Sequence, residues 1–158
     1  NECLPESLKK GNVSLNVFNQ CGQSQQEITR VRYQGAPSSL NIQVEPFIHD
    51  MAQAYSDADL IICRAGALTV TEIATAGVAA VFVPLPSAVD DHQTANAKFL
   101  ANIDAAKICP QASMTPESLK ALLLPLMNRQ LLSEMAVKAR QQAQPDATQH
   151  VVRLIQAL

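Results

Sequence analysis

The sequence predicts an α/β domain, a Rossmann-like parallel sheet with flanking helices, on three observations. Five short runs rich in Val, Ile, Leu and Ala, at residues 13–18, 41–47, 60–63, 79–84 and 106–109, each have the length of a strand. Helical patterns separate them, and strand alternating with helix is the pattern of a parallel sheet. The runs that begin at Leu60 and Ala79 are nearly continuous in apolar residues, which suits strands covered on both faces.

The helices follow in order. Residues 2–10 read as the later part of a helix that stops at Gly11. No strand precedes it and Asn1 is not a Met, so the chain is expected to lack the first strand of its sheet. Residues 23–33 form a polar, exposed helix. Asp50 caps a short helix that runs to Ala54 or Tyr55. The stretch 68–76 ends at Gly77, a good C-terminal stop. Asp90 or Asp91 caps a helix carrying Gln93, Ala97 and Leu100. Thr115 followed by Pro116 starts a helix that runs to about Met127, because Pro at the first helical position gives up no hydrogen bond. Two more helices, 131–142 and 146–158, are separated at Pro145.

Composition narrows the partners. The chain has 158 residues, enough for one domain with a core of its own. It is 47% hydrophobic and 16% charged, which describes a folded domain; with 4% aromatics and no Trp, that core is aliphatic. A net charge of −2 argues against a nucleic-acid partner, which would favour a basic face. Cys3, Cys21, Cys63 and Cys109 form no CxxC motif and read as reduced thiols, as in a cytoplasmic protein. No stretch reaches the about 18 apolar residues of a membrane span, so any membrane contact is peripheral.

Parallel sheets bind ligands at the carboxyl ends of their strands, so chemistry is sought in the strand-to-helix loops. The first candidate is the run from Cys63 through Arg64, Ala65, Gly66, Ala67, Leu68, Thr69, Val70 and Thr71 to Glu72. It passes from a buried strand through a glycine turn into a helix, whose first N–H groups are unpaired and attract anions or hydroxyls. The Glu72 carboxylate can accept two hydrogen bonds from a vicinal diol such as a ribose. The same residues also fit a plain turn with Glu72 matched to the helix dipole in the first turn.

The second candidate is Asp90, Asp91, His92, Gln93, Thr94, Ala95 and Asn96. Gln93 and Asn96 share one helical face, and their amides suit a neutral polyol. The alternative is a capped polar helix start. The third is the turn at Phe47, Ile48, His49 and Asp50, where the Ile48 backbone can pair with a planar heterocycle. There His49 reads as a surface residue and Asp50 as a cap. No P-loop, GxSxG, HExxH or closely paired carboxylates occur, and no cofactor is expected.

Taken in order and spacing, Phe47-Ile48-x-Asp50-Met51, the run from Asp57 through Arg64, Gly66-Ala67-Leu68-Thr69-Val70 and Glu72, Pro84, and Asp91-His92-Gln93-x-x-Asn96-Ala97 resemble the MurG-like glycosyltransferases. These have the two-domain GT-B fold and move N-acetylglucosamine from its UDP donor to a lipid-linked muramyl-pentapeptide, converting lipid I to lipid II in peptidoglycan synthesis. The resemblance covers the C-terminal, donor-binding domain from about Val13 onward.

By position it implies that the Ile48 backbone pairs with uracil, that Ala67, Leu68, Thr69, Val70 and Thr71 line the donor site, and that Glu72 holds the ribose. Gln93 would contact the sugar hydroxyls, with His92 and Asn96 near it and Arg64 and Gly66 in the same motif. The resemblance also implies peripheral attachment at the cytoplasmic face of the bacterial inner membrane, no bound metal, and an acceptor domain, first strand and Gly-rich phosphate loop that this chain lacks. No residue here is then catalytic, and the chain alone is expected to transfer no sugar. The residues by themselves leave open another GT-B transferase or epimerase of UDP-sugars, or a non-catalytic nucleotide-sugar-binding module.

Overall fold

The computed structural model of the chain describes residues 2–9, 13–86 and 91–156. Its elements alternate as the sequence predicts: α1 (Cys3–Lys9), β1 (Leu15–Gln20), α2 (Gln26–Arg32), β2 (Leu40–Glu45), α3 (Met51–Asp57), β3 (Leu60–Cys63), α4 (Ala67–Ala76), β4 (Ala79–Phe82), α5 (His92–Ala101), β5 (Ala106–Ile108), α6 (Pro116–Leu123), α7 (Arg129–Gln141) and α8 (Ala147–Gln156). Single 3₁₀ turns precede α2 and α6 and follow α6. All strand pairing among the described residues is parallel.

The sheet is in two parts. β1 pairs with β2, with Leu15 opposite Leu40 and Gln20 opposite Glu45. β4 lies between β3 and β5, with Leu60 opposite Ala79 and Phe82 opposite Ile108. Among the described residues, β1 and β3 each have one edge without a ladder partner.

Successive residues of a strand face opposite sides, and the core shows it. Ala80 and Phe82 of β4 pack on one face with Val70, Ile73 and Ala74 of α4 and Ala97 and Leu100 of α5. Ala79 and Val81 pack on the other with Leu8 of α1, Leu119 and Leu123 of α6, and Leu126. α7 serves both, through Ala139 on the first face and Met135 on the second. β4 is therefore fully buried, as its apolar run predicts. β3 is only half-buried along its length, short of the two-sided burial expected for the run at Leu60, because one of its edges lies open.

Helix ends follow local chemistry in most places. Thr115 caps α6 by accepting from the Ser118 N–H at 3.1 Å, while Ser118 Oγ accepts from the Thr115 N–H at 2.8 Å, and Pro116 takes the first position. Gly77 ends α4 at φ 68°, a left-handed conformation that favours glycine, and a Cβ there would lie 3.1 Å from the Arg140 Cβ. Two expectations change. α6 gives way to a 3₁₀ turn at Leu124–Leu126, since Pro125 cannot donate to a continuing helix. Asp91 precedes α5 in a left-handed conformation (φ 53°) and makes no side-chain cap; Asp90 lies outside the described residues.

Candidate functional site

Three strand ends supply the candidate residues. β3 runs through Arg64, Ala65 and Gly66 into α4. Gly66 stands at the N-cap with φ −63° and ψ 147° and offers no side chain to the first turn of α4. Its backbone does not require glycine, and an added Cβ would meet only Thr69 Oγ1 at 3.5 Å, an ordinary contact. The missing side chain leaves the approach to the helix start clear. Ala67 and Leu68 are exposed there, Leu68 at 80%, and Thr69 is half-buried.

Two residues of this run behave differently from the expectation. Val70 is turned into the core at 4% exposure, and its N–H already bonds to the Gly66 carbonyl at 3.0 Å. Its place in the 3.6-residue repeat aims it at β4, so its side chain lines no surface. Thr71 is exposed, and its hydroxyl donates to the Ala67 carbonyl one turn back at 3.0 Å.

Glu72 is exposed, and it lies in the second turn of α4, whose first turn holds no acidic residue. The simple dipole-matched reading of this carboxylate is thereby removed, because that effect fades beyond the first turn. Its Oε2 instead accepts a hydrogen bond from the Tyr55 hydroxyl of α3 at 2.9 Å.

Arg64 is a brace. Its Nη1 donates to the Val83 carbonyl at 3.0 Å and the Pro84 carbonyl at 3.2 Å, tying the end of β3 to the loop after β4. Asn96 of α5 donates through Nδ2 to the Ala65 carbonyl at 3.1 Å. Gln93 Oε1 accepts from the Leu85 N–H at 3.0 Å. The shared helical face expected for Gln93 and Asn96 thus points at the two strand-end loops and cross-links them. The Gln93 carbonyl oxygen is engaged there, so the group it can direct at a ligand is its NH₂. His92 is exposed and not without interactions of its own.

The turn after β2 is built by Asp50, which accepts from the Gln53 N–H at 2.9 Å and starts α3 as expected. The Ile48 N–H is bonded to Gln20 Oε1 at 3.0 Å, so a heterocycle pairing there would replace or share that side chain. His49 is exposed and stacks edge-on against Phe47, their centroids 5.0 Å apart. Cys63, half-buried beside the turn, has its thiol pushed up to about 12 by burial and stays protonated at neutral pH. All four cysteines are free.

One residue of this constellation went unread in the sequence. Tyr55 lies within the helix capped by Asp50, which runs on to Asp57 rather than stopping at Ala54 or Tyr55; it packs its ring against the core and carries its hydroxyl to Glu72. Its only signal was position, one helical turn after the Asp50-Met51 start, and that says nothing about which neighbour it meets.

Comparison with known proteins places this architecture. Residues 1–151 match the glycosyltransferase family 28 C-terminal domain. The chain is 77% identical over its whole length to the UDP-N-acetylglucosamine--N-acetylmuramyl-(pentapeptide) pyrophosphoryl-undecaprenol N-acetylglucosamine transferase of Acinetobacter baylyi, and spans 43% of the length of that relative. It is 73% identical to Acinetobacter baumannii MurG, whose crystal structure matches 98% of this chain with a TM-score of 0.95 and is itself covered to 45%. Glycosyltransferase VinC, in complex with dTDP, matches 97% of the chain at a TM-score of 0.73 and 18% identity, a likeness of fold alone, with 36% of VinC covered. No described helix is long and apolar enough to cross a membrane. A parallel sheet with helices on both faces, matched along nearly its whole length by one family, settles the kinship: the chain belongs to the glycosyltransferase family 28 C-terminal domains.

Proposed function

We propose that this chain is the UDP-N-acetylglucosamine-binding domain of a transferase that carries N-acetylglucosamine to a lipid-linked muramyl-pentapeptide, the lipid I to lipid II step, at the cytoplasmic face of the inner membrane. The observation that carries the reading is the meeting of the uncapped start of α4, the Glu72 carboxylate and the α5 amides at adjacent strand ends, in a chain 77% identical to a transferase of that name. The Ile48 backbone pairs with uracil and displaces the Gln20 amide. Glu72 accepts from the ribose hydroxyls. The N–H groups of Ala67, Leu68 and Thr69 face the diphosphate or its neighbouring hydroxyls, with Thr71 at the rim. Gln93 donates to the sugar ring, and Arg64, Gly66 and Asn96 shape and hold the turn; His92 stands beside them.

The open edges of β1 and β3 support the domain reading. A further parallel strand between β1 and β3, followed by a phosphate-binding loop and then α1, gives the strand order of a doubly wound sheet and a right-handed crossover into β1. That strand, its loop and an acceptor-binding domain complete the enzyme, and no catalytic group is assigned to this chain.

The test is calorimetric titration of the whole enzyme with UDP, UDP-N-acetylglucosamine and other UDP-sugars. Gln93→Ala is expected to weaken UDP-N-acetylglucosamine by about ten-fold, the worth of one or two neutral hydrogen bonds, and to leave UDP itself within about two-fold. Equal loss for both ligands would remove Gln93 from the sugar site. Tight binding of a different nucleotide sugar in preference would overturn the donor assignment.

A further inference from the structure

The carboxylate proposed to hold the ribose is not left to find its own rotamer. Glu72 is exposed on α4, and an exposed Glu keeps several rotamers whose loss on binding costs affinity. Here Oε2 is held by the Tyr55 hydroxyl at 2.9 Å. The donor is itself rigid: Tyr55 is half-buried and its ring packs in the cluster that contains Ile73, Ala74 and Phe82, alongside Ala58, Ile61 and Cys63. Only the hydroxyl reaches the carboxylate.

A carboxylate has about four lone-pair positions. One hydrogen bond to Oε2 orients the group and leaves Oε1, and the second lone pair of Oε2, for two vicinal hydroxyls. The direction of this bond follows from the groups themselves, a phenol O–H and a carboxylate oxygen, and burial and then the Glu72 hydrogen bond raise the Tyr55 pKa above its ordinary value. The phenol stays protonated and donates.

Tyr55 also lies on the helix whose start forms the turn at Ile48. Asp50 caps α3 immediately after that turn, and α3 carries Tyr55 to α4. One short helix therefore joins the segment read as the base contact to the residue read as the ribose contact. We propose that Tyr55 is a positioning residue of the nucleotide site, which sets the Glu72 carboxylate for a vicinal diol. This rests on the assignment of Glu72 to the ribose.

The experiment is a double-mutant cycle in the whole enzyme, read by titration with UDP and with 2′,3′-dideoxyuridine diphosphate. Tyr55→Phe keeps the ring in the core and removes only the hydroxyl, so the melting temperature is expected to stay within about 2–4 °C of wild type. It is expected to weaken UDP by about three- to ten-fold, the cost of immobilising one long side chain, and to leave the dideoxy nucleotide unchanged. In a Glu72→Ala background, Tyr55→Phe should have no further effect on UDP.

An unchanged UDP affinity in Tyr55→Phe overturns the positioning role while leaving the ribose assignment intact, provided that Glu72→Ala alone weakens UDP. Equal loss for UDP and its dideoxy analogue, or the same loss with and without Glu72, also overturns it, since Tyr55 would then act through the fold. If Glu72→Ala leaves UDP binding untouched, the ribose assignment itself falls and the positioning role falls with it.

Discussion

Glu72→Ala is expected to weaken binding of UDP and of UDP-N-acetylglucosamine alike, by roughly ten- to a thousand-fold. The reasoning starts from the charge. A hydroxyl donating to a carboxylate makes a charge-assisted bond worth about 1.5–3 kcal/mol, and a ribose offers two such donors. Both ligands contain that ribose, so both lose the same contacts. Stability should change little. Glu72 is exposed, contributes nothing to the first turn of α4, and engages one exposed hydrogen bond, from Tyr55. Removing it leaves the Tyr55 hydroxyl at the surface, where water replaces the lost acceptor.

Glu72→Gln separates charge from shape, because the amide keeps one acceptor oxygen and loses the ionic strengthening. Its UDP affinity is expected to fall between wild type and Glu72→Ala. Titration of the three proteins with the two ligands decides the matter. Full UDP affinity in Glu72→Ala, with a folded protein, would falsify the ribose assignment.

The largest effect on folding is expected at Phe82. It is fully buried at the end of β4, the strand paired on both sides, and packs with Ile73, Leu100 and Ala74. Phe82→Ala removes the ring and leaves a cavity whose walls belong to β4, α4 and α5, none of which can move in without breaking its own contacts. Such changes cost about 3–5 kcal/mol. For a domain of this size that corresponds to a fall in melting temperature of about 6–20 °C.

The same residue holds the floor of the site. Its carbonyl accepts from the Cys109 N–H at 2.8 Å, the next N–H, of Val83, donates to the Cys63 carbonyl at 2.8 Å, and Arg64 clamps the Val83 and Pro84 carbonyls above it. Where the variant is still folded, UDP affinity should be reduced far less than by Glu72→Ala, because no ligand contact is removed. Thermal denaturation followed by circular dichroism reads the first effect. A loss below about 1 kcal/mol would mean that the helices close over the gap.

Much of this domain was legible because the deciding chemistry is local. Asp50, Thr115 with Pro116, and Gly77 each mark a helix end through groups within a few residues, and each stands where expected. The run at β4 announced burial on both faces by having no polar residue to expose. Where local cues are ambiguous, the structure differs from the expectation. Asp91 could cap α5 by type, yet its backbone is left-handed and its side chain makes no cap. The run at β3 is as apolar as that of β4, but burial also depends on what lies beside a strand, and β3 has one open edge.

The sequence by itself determined the alternation of strands and helices, the aliphatic core, the family and the three strand-end segments that gather the candidate residues. Those follow from composition, from 2- and 3.6-residue repeats and from motif spacing, all properties of neighbouring residues. Only the tertiary structure decided what each polar side chain in those segments does. Arg64 and Asn96 are read equally well as ligand contacts or as braces until the carbonyls of Val83, Pro84 and Ala65 are seen within their reach. Val70 and Glu72 lie two residues apart, and packing against β4 sends one inward and leaves the other at the surface. Tyr55 acquires a partner 17 positions away because α3 and α4 pack side by side. A hydrogen bond reaches about 3 Å, and which groups come that close across the chain is set by how the helices settle on the sheet.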